Sequence, residues 1–355
     1  MDLYPLKFNP IYKEKIWGGD KLTKVFNRYL PNNKIGESWE VAAHPNGTSI
    51  IENGIYQGRT ITELIDNNTQ ELLGKAKLNE DNRFPLLVKI LDANAKLSVQ
   101  VHPDDEYADK VENELGKTEM WYIIDAEPDA KLVYGLKPGT RKEDFSEAIE
   151  EGELEKYLNE ISVEKGDIFY MPSGTIHAIE EGILLAEIQQ NSDTTYRVYD
   201  WNRVGQNGKP RDLHVEKALD VINFGKDNIQ AKSTPLTIDN TNYRRSFLAA
   251  CPYFVTEKVD VKNIYELHPG GEKFFIVMNL SGQAGISSNE RVYNLSPGDT
   301  YFIPADLRSV KIDGLTEMLV SYIPDSKREL EKELNKLNFT KSEINNLAGF
   351  NEWKE

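Results

Sequence analysis

Four side chains of the sequence could together bind a metal ion. Gln100 and His102 lie two residues apart in the strand-like segment SVQVHP, and side chains at this spacing point to one face of a strand. Glu119 and His177 lie in two further strand-like segments. Two imidazoles, a carboxylate and an amide oxygen suit zinc, with iron, manganese and cobalt less favoured. A lone histidine in a strand is more often structural, so the hypothesis requires all four residues to meet.

The segments around these residues have the composition of short strands. They are rich in β-branched and aromatic residues and are separated by polar turns. The segments are PLLVKILDA, KLSVQVHP, EMWYIIDA, KLVYGL, ISVEKGDIFYMP and GILLAEIQQ. The sequence therefore predicts a mainly β protein whose strands carry the candidate ligands.

Three pairs of residues have the spacing of a helix capping box, in which a threonine precedes a glutamate by three positions. The pairs are Thr60 with Glu63, Thr140 with Glu143, and Thr340 with Glu343. They predict a small helix over ITELIDNN, a short helical insert near 140–160 and a helix close to the carboxyl end. The segment DSKRELEKELNKL, with leucines at helical spacing, predicts a further surface helix.

An internal repeat organises the strands. The segments VEKGDIFYMPSGTIHAI (163–179) and LSPGDTYFIPADLRSVKI (295–312) share the pattern G-D-x-[FY]-[FY]-x-P at identical spacing. A G-D turn before a strand that ends in proline resembles the second conserved segment of cupins. The resemblance implies a tandem cupin, which is two double-sheet jelly-roll barrels, with the helical insert and the C-terminal helices added.

Three domains are predicted from this organisation. Residues 1–230 form a catalytic cupin domain with an N-terminal segment and the short helical insert. Residues 240–323 form a degenerate second cupin, and residues 325–355 form a C-terminal helical tail.

The second copy of the repeat lacks a complete ligand set. His177 lies eleven residues after Gly166, whereas the same count from Gly298 reaches Ser309. His268 remains upstream, and Glu272 aligns with Glu119. Two groups do not close a site that normally takes four, so we expect one metal ion per chain.

Several segments in a fixed order resemble those of type I mannose-6-phosphate isomerases in their shorter bacterial form. These are IWGGDKL, GESWEVAAHPNG, SVQVHPDDEYA, GKTEMWYII, GDIFYMPSGTIHAI and LLAEIQQNSDTTYRVYDWNR. The resemblance covers about residues 8–220. It implies a zinc-dependent aldose–ketose isomerase that interconverts mannose 6-phosphate and fructose 6-phosphate through an enediol intermediate, with one Zn²⁺ per chain.

The resemblance also implies a role for individual residues. The implied metal ligands are Gln100, His102, Glu119 and His177. Arg197, Lys117 and Glu187 fall on catalytic positions. Ser98 and Arg203 fall on positions that contact the substrate phosphate, although Arg203 replaces what is more often a lysine. The large helical domain of longer members is reduced here to the insert near 140–160.

Isomerisation moves a proton between adjacent carbons, which requires a base and a positive charge that stabilises the developing oxyanion. Lys117 and Glu187 are both candidates for the base, and Arg197 can stabilise the charge. Structural alternatives stay open for three residues. Glu187 could be a strand residue paired to an arginine, Arg203 could pair with Asp200, and Lys117 could be a solvated turn residue.

The remaining histidines, His44, His214 and His268, have more ordinary structural explanations. His214, in RDLHVEKAL, is expected near the start of a helix, and His268, in HPGG, is expected in a turn.

Composition excludes several classes of partner. The chain has 355 residues and a formal net charge of −16, which argues against nucleic acid and against an anionic membrane. No apolar run reaches the ~20 residues that cross a bilayer. Cys251 is the single cysteine and no signal pattern opens the sequence, so we expect a cytoplasmic protein. We expect it to be either a monomer or a homodimer. An anionic sugar phosphate would then require a local excess of positive charge.

Two other functions fit the sequence less well than the isomerase does. A cupin oxygenase that uses iron and molecular oxygen usually carries H-x-[DE] with a distant histidine, whereas here Gln100 precedes His102 and the carboxylate is remote. A sugar-sensing or storage cupin would not need Lys117, Glu187 and Arg197 beside the metal.

Overall fold

The computed structural model describes residues 1–76, 83–204, 208–225 and 231–353, and it is mainly β, as predicted. The strands are β1 (Leu6–Asn9), β2 (Ile11–Gly19), β3 (Ile35–Val41), β4 (Ala43–His44), β5 (Gly47–Thr48), β6 (Ile50–Ile51), β7 (Leu86–Ala93), β8 (Val99–Val101), β9 (Glu119–Ala126), β10 (Lys131–Leu136), β11 (Leu158–Ser162), β12 (Ile168–Met171), β13 (His177–Ile179), β14 (Ile183–Gln190), β15 (Tyr196–Tyr199), β16 (Leu236–Asp239), β17 (Tyr243–Ala250), β18 (Val255–Val261), β19 (Ile264–Leu267), β20 (Phe275–Ser288), β21 (Arg291–Leu295), β22 (Thr300–Ile303) and β23 (Val310–Tyr322).

Short helices connect or flank the strands. They are α1 (Lys21–Phe26), α2 (Ile61–Asn67), α3 (Thr69–Leu73), α4 (Asp105–Glu112), α5 (Lys142–Glu151), α6 (Val215–Val221), α7 (Lys327–Lys336) and α8 (Lys341–Asn345), with 3₁₀ turns at Gly54–Tyr56 and Leu154–Tyr157. In the described part of the chain, no helix has both the length and the apolar character needed to span a bilayer.

The chain divides into two compact units. The first unit comprises Tyr12–Ser38 and Lys89–Lys232, and the second comprises Met1–Ile11, Trp39–Val88 and Ser233–Glu355. The sequence did not anticipate that residues near the amino end would group with the C-terminal part. The predicted domains 1–230, 240–323 and 325–355 stay a prediction, since compactness does not establish which segments fold alone. Residue 230 itself lies outside the described residues.

The first unit is built on two antiparallel sheets. One has the strand order β11-β10-β13-β8-β15, and the other has the order β12-β9-β14-β7-β3-β2. Leu132 of the first sheet and Trp121 and Phe169 of the second are fully buried in one apolar cluster. The interior of the predicted double-sheet barrel is therefore the space between the two sheets.

The alternation of strand side chains separates the site from the outer packing. Val99 and Val101 of β8 pack outward in an apolar cluster with Phe145 of α5 and Ala218 of α6. Gln100 between them therefore points to the opposite, interior face, because successive strand residues face opposite ways. The helical insert predicted near 140–160 is confirmed, and it covers this sheet.

The second unit contains a ten-stranded sheet. Its main path is β16-β17-β18-β23-β20-β22-β1-β6, and β19 and β21 pair with β23 and β20. The long strands β20 and β23 pair along most of their length, from Ile276 opposite Ser321 to Ser287 opposite Lys311. This sheet carries the second copy of the repeat.

The two copies of the G-D turn have the same backbone geometry. Gly166 and Gly298 have φ of 93° and 83°, a conformation that side chains disfavour. Asp167 and Asp299 each accept, at 2.8 Å, a hydrogen bond from the backbone N–H three residues earlier. The repeat that was read from the sequence is therefore a repeated turn in the structure.

Two of the three predicted capping boxes are confirmed. Thr60 and Thr340 cap α2 and α8. In each box the threonine side chain accepts the backbone N–H of the glutamate three residues later, and the glutamate side chain accepts the backbone N–H of the threonine. The prediction for Thr140 is wrong, because Arg141 is the N-cap residue of α5. Thr140 donates instead to the carbonyl of Lys137 at 2.7 Å, in the preceding turn. The predicted surface helix is confirmed as α7.

Candidate metal and active site

A row of directly opposed residues crosses four neighbouring strands of the first unit. Tyr134 of β10 lies opposite His177 of β13, His177 lies opposite Gln100 of β8, and Gln100 lies opposite Arg197 of β15. Directly opposed residues of an antiparallel sheet point to the same face. The register of the sheet therefore places His177, Gln100 and Arg197 side by side toward the interior.

The other sheet supplies the carboxylates. In the pairing of β9 with β14, Trp121 lies opposite Glu187, and Glu119 precedes Trp121 by two positions on the same face. The indole Nε1–H of Trp121 donates to Glu187 Oε2 at 3.0 Å. Glu119 and Glu187 therefore belong to one interior surface.

His102, Glu119 and His177 form the group that can hold a metal ion. One ligand atom of each lies within 4.8 Å of the others. His102 Nε2 is 3.7 Å from Glu119 Oε2, and His177 Nε2 is 3.5 Å from Glu119 Oε1. The amide of Gln100 joins them, with its Nε2 3.3 Å from His177 Nε2. The structure thus brings together all four predicted ligands.

Hydrogen bonds to the backbone orient both imidazoles. His102 Nδ1 is 2.8 Å from the carbonyl oxygen of Thr194, and His177 Nδ1 is 2.9 Å from that of Thr175. A carbonyl can only accept, so each Nδ1 carries the proton and each Nε2 keeps its lone pair. Metal-binding histidines are typically held in this way.

Glu119 also fits a metal-binding role. Its side chain is 0% exposed, and its Oε1 has no hydrogen-bond partner among the described residues. A buried carboxylate oxygen without a partner is costly, and a cation removes that cost. The donor set and this oxygen therefore fit the divalent ion that the sequence predicts.

Burial sets the protonation of the ligands. Burial and then the positive charge of Lys117 lower the pKa of His102 well below its usual value, and the same two causes lower the pKa of His177 to about 4. Both rings are then neutral near pH 7, which is the form that binds metal. Burial, followed by the negative charge of Glu187, raises the pKa of Glu119.

Lys117 lies inside the cluster rather than on a solvated turn. Its side chain is 4% exposed, and its Nζ is 3.0 Å from His102 Nε2 and in contact with Glu119 Oε2. The same Nζ is 3.6 Å from Glu187 Oε1. The solvated alternative for Lys117 is therefore wrong, and two groups able to move a proton lie next to each other.

Sequence reasoning missed Lys89. This lysine lies in the apolar strand β7, is 5% exposed, and places its Nζ 3.3 Å from Glu187 Oε1. Burial opposes the charge of Glu187, but Lys117 and Lys89 together hold its pKa below its usual value. A lysine inside the run PLLVKILDA was the signal that could have revealed it. The cations beside Glu187 are thus lysines, not the arginine considered from the sequence.

Arg197 projects from β15 beside Gln100. Its NH1 donates to the carbonyl of Asp212 at 2.8 Å, and its Nε is buried without a hydrogen-bond partner among the described residues. Burial and then the nearby charge of Arg211 lower the pKa of Arg197. Its guanidinium keeps donors available for another group.

The two predicted phosphate residues lie near the start of β8. Ser98 is buried there. Arg203 pairs with Asp200 at 2.5 Å and also donates to the carbonyl of Lys96. Arg211 also pairs with Asp200, and this pair is bidentate, with distances of 2.5 and 2.7 Å. The ion pair considered for Arg203 is thus present, and its phosphate role stays a prediction.

The other histidines lie outside this cluster. His214 is the N-cap residue of α6, as expected, and its Nδ1 accepts the backbone N–H of Arg197 at 3.1 Å. His44 Nδ1 accepts the backbone N–H of Asn46 at 3.1 Å. His268 is 68% exposed and lies 3.8 Å from Glu266.

The second copy of the repeat does not form a comparable group. Glu272, which aligns with Glu119, is exposed and forms an ion pair with Lys75. Three or more histidine, cysteine, aspartate or glutamate side chains come close enough to share an ion at one place within residues 1–76, 83–204, 208–225 and 231–353. That place is the group of His102, Glu119 and His177.

Comparison with known proteins gives consistent matches. The family models for the phosphomannose isomerase type I catalytic domain and the mannose-6-phosphate isomerase cupin domain match residues 5–133 and 243–323. Mannose-6-phosphate isomerase ManA of Bacillus subtilis is 43% identical over 324 residues, which cover 91% of this chain and 100% of that protein. Mannose-6-phosphate isomerase of Streptococcus mutans is 40% identical over 318 residues, covering 90% of this chain and 98% of that protein.

A solved structure agrees with these matches. The crystal structure of mannose 6-phosphate isomerase from Bacillus subtilis superimposes with a TM-score of 0.83 at 36% identity, covering 90% of this chain and 99% of that one. Fold and matches together define an aldose–ketose isomerase of the cupin type. The chain belongs to the type I mannose-6-phosphate isomerase family.

Proposed function

We propose that this protein interconverts mannose 6-phosphate and fructose 6-phosphate by proton transfer through an enediol intermediate, with one Zn²⁺ per chain. The observation that carries the proposal is the contact of Lys117 with both the ligand cluster and Glu187. An acid–base pair beside a polarising centre is what aldose–ketose isomerisation requires.

Gln100, His102, Glu119 and His177 would hold the ion. Two imidazole nitrogens, a carboxylate and an amide are a donor set that zinc accepts. When bound, Zn²⁺ would polarise a substrate oxygen and stabilise negative charge on it.

Lys117 and Glu187 would exchange the proton between the two sugar carbons. Their Nζ and Oε1 atoms are 3.6 Å apart, so a proton taken by one can be passed to the other. Glu187 is held in its ionised form by Lys89 and Lys117, which suits it to accept a proton. Either residue can act as the base.

Arg197 would stabilise the charge on the enediol oxygens. It lies opposite Gln100 in the sheet, so its guanidinium reaches the same interior as the metal ligands. Ser98 and Arg203, at the start of the same strand region, would contact the phosphate. Arg197 and Arg203 would supply the local positive charge that a chain of net charge −16 needs for an anionic substrate.

Turnover of mannose 6-phosphate by metal-stripped protein tests this function. We expect no turnover in the stripped protein and recovery when Zn²⁺ is restored, with fructose 6-phosphate as the product and no consumption of oxygen. Full turnover without metal contradicts the proposal, and oxygen consumption with an iron-loaded protein would favour the oxygenase instead.

We propose the cytoplasm as the compartment, because a chain with a single, buried cysteine forms no internal disulfide and needs no oxidising environment. Monomer and homodimer both remain compatible with the proposed function.

A further inference from the structure

Three consecutive backbone N–H groups around Lys117 each have a separate partner. In the segment 116–118, the first N–H donates to Asp105 Oδ1 at 2.9 Å, the second to the carbonyl of Pro103 at 3.0 Å, and the third to Gln190 Oε1 at 2.9 Å. Every N–H from the residue before Lys117 to the residue after it is therefore fixed.

Gln190 and Asp105 are linked to each other. Gln190 Nε2 donates to Asp105 Oδ1 at 2.8 Å, and the backbone N–H of Gln190 donates to the carbonyl of Thr118 at 3.2 Å. Gln190 is 4% exposed, so the bond that its Oε1 accepts and the bond that its Nε2 donates are both shielded from water. The two side chains act as one bridge across the segment 116–118.

The pairing of β9 does not itself fix Lys117. The strand begins at Glu119, so the segment 116–118 lies before it. A Cβ added at Gly116 would lie 2.5 Å from the backbone nitrogen of Asp105, which shows how closely the two segments approach. Lys117 is thus placed by the hydrogen bonds that the segment 116–118 makes to Pro103 and Asp105, just after His102.

We propose that Asp105 and Gln190 are positioning residues for Lys117. They hold the backbone on both sides of Lys117, so that its Nζ reaches both the ligand cluster and Glu187. The inference rests on the proposed function, because it assigns these residues to the proton transfer of Lys117. Neither residue contacts substrate or ion in this assignment, and both act through the lysine.

Asp105→Ala tests the inference. It removes the acceptor of two donors, and we expect kcat to fall about 10²-fold, the scale of misplacing a reacting group by about 1 Å. KM and zinc content are expected to stay near wild type, because Gln100, His102 and His177 are held by other contacts. Asp105→Asn keeps an oxygen at this position and is expected to restore most of kcat.

Asp104→Ala is the matched control. Asp104 is the neighbouring aspartate and caps α4 by accepting the backbone N–H of Tyr107 at 3.0 Å. It makes no bond to the segment 116–118, so its loss is expected to lower the melting temperature with kcat unchanged. If Asp105→Ala does not fold, Gln190→Ala removes the other half of the bridge and carries the same expectation.

Combining these changes with Lys117→Ala separates the two proposals. If Asp105 acts through Lys117, Asp105→Ala lowers kcat in the wild-type chain and adds no further loss in Lys117→Ala. An equal fold loss in both backgrounds overturns the inference and leaves the proposed function standing. Wild-type turnover by Lys117→Ala contradicts the proposed function itself.

Amide hydrogen exchange in the metal-stripped protein gives a readout that does not depend on activity. We expect the amides of residues 116 and 118 to exchange faster in Asp105→Ala and at the wild-type rate in Asp104→Ala. Unchanged exchange at both amides in Asp105→Ala overturns the inference.

Discussion

The first and second copies of the repeat share a turn but differ in what their interiors contain. Eleven residues after the turn glycine, the first copy has the proposed ligand His177, and the second copy has Ser309. In the first copy, buried Glu119 Oε1 has no hydrogen-bond partner among the described residues. The first interior is therefore incomplete without a ligand.

A buried ion pair of the second unit is satisfied by protein groups alone. Glu257 is 1% exposed and accepts two bonds from Arg245, at 2.5 and 2.7 Å, and one from the hydroxyl of Tyr322 at 2.8 Å. Arg245 also bonds to Glu333 of α7 at 2.9 Å. The comparison shows that buried charge serves structure where every atom is paired, and can serve chemistry where an atom is left without a partner.

The largest effect is expected from the ligands of the first copy. His177→Ala or His102→Ala removes one of the two imidazoles, so both zinc retention and mannose 6-phosphate turnover should be lost. Elemental analysis after dialysis and a turnover assay measure the two losses. A variant that keeps one tightly bound ion per chain and full activity would remove the basis for the metal site.

The next effect concerns the charged interior of the second unit. Glu257→Ala leaves Arg245 buried without its main partner, and the free energy of unfolding should fall by about 3–5 kcal/mol. Denaturant unfolding measures it, and kcat of the protein that remains folded should be unchanged.

An exposed ion pair of the same unit provides the control for Glu257. Asp313 lies 3.0 Å from Lys311, and the two side chains are 60% and 43% exposed. Asp313→Ala should cost less than about 1 kcal/mol. Equal costs for the two variants would show that burial does not distinguish these pairs.

Loss of a proton-transfer group or of the charge-stabilising arginine should have a smaller free-energy effect. Lys117→Ala and Arg197→Ala are each expected to lower kcat/KM by about 10²-fold, or about 2.7 kcal/mol in the activation free energy. Steady-state kinetics on zinc-loaded protein measures this loss. Arg197→Ala should melt near the wild-type temperature, and a variant that melts early but turns over normally would show that Arg197 is structural.

No effect is expected from the remaining histidine of the second copy. His268 is exposed and has no companion ligands in the described chain, so His268→Ala should leave one zinc per chain and normal turnover. Two tightly bound ions in the wild type, one of them lost in His268→Ala, would show that the second copy binds metal.

Local patterns in the sequence predicted much of the fold and of the ligand set. Gln100 and His102 were placed on one face by strand alternation, and Thr60 and Thr340 were recognised by their capping partners three residues later. Such patterns depend on near neighbours in the chain. Thr140 has the same spacing, but an alternative bond to Lys137 was available and the pattern could not show it.

Contacts between distant residues could not be predicted in the same way. Lys89 and Glu187 are far apart in sequence, and their pairing depends on how the strands are arranged. The bridge from Asp105 to Gln190 spans 85 positions for the same reason. The sequence shows such a residue only as a polar side chain, and it does not indicate the partner with which that side chain pairs.

The register that aligns His177 with Gln100 also has a consequence for the order of folding. The two residues are separated by 77 positions, and long-range pairing of this kind forms more slowly than local hairpins. A growing chain in which β13 has not yet been synthesised lacks His177, one of the four proposed ligands. We therefore expect ion capture to follow closure of the barrel, so that added zinc raises the final melting temperature and leaves the rate of refolding unchanged.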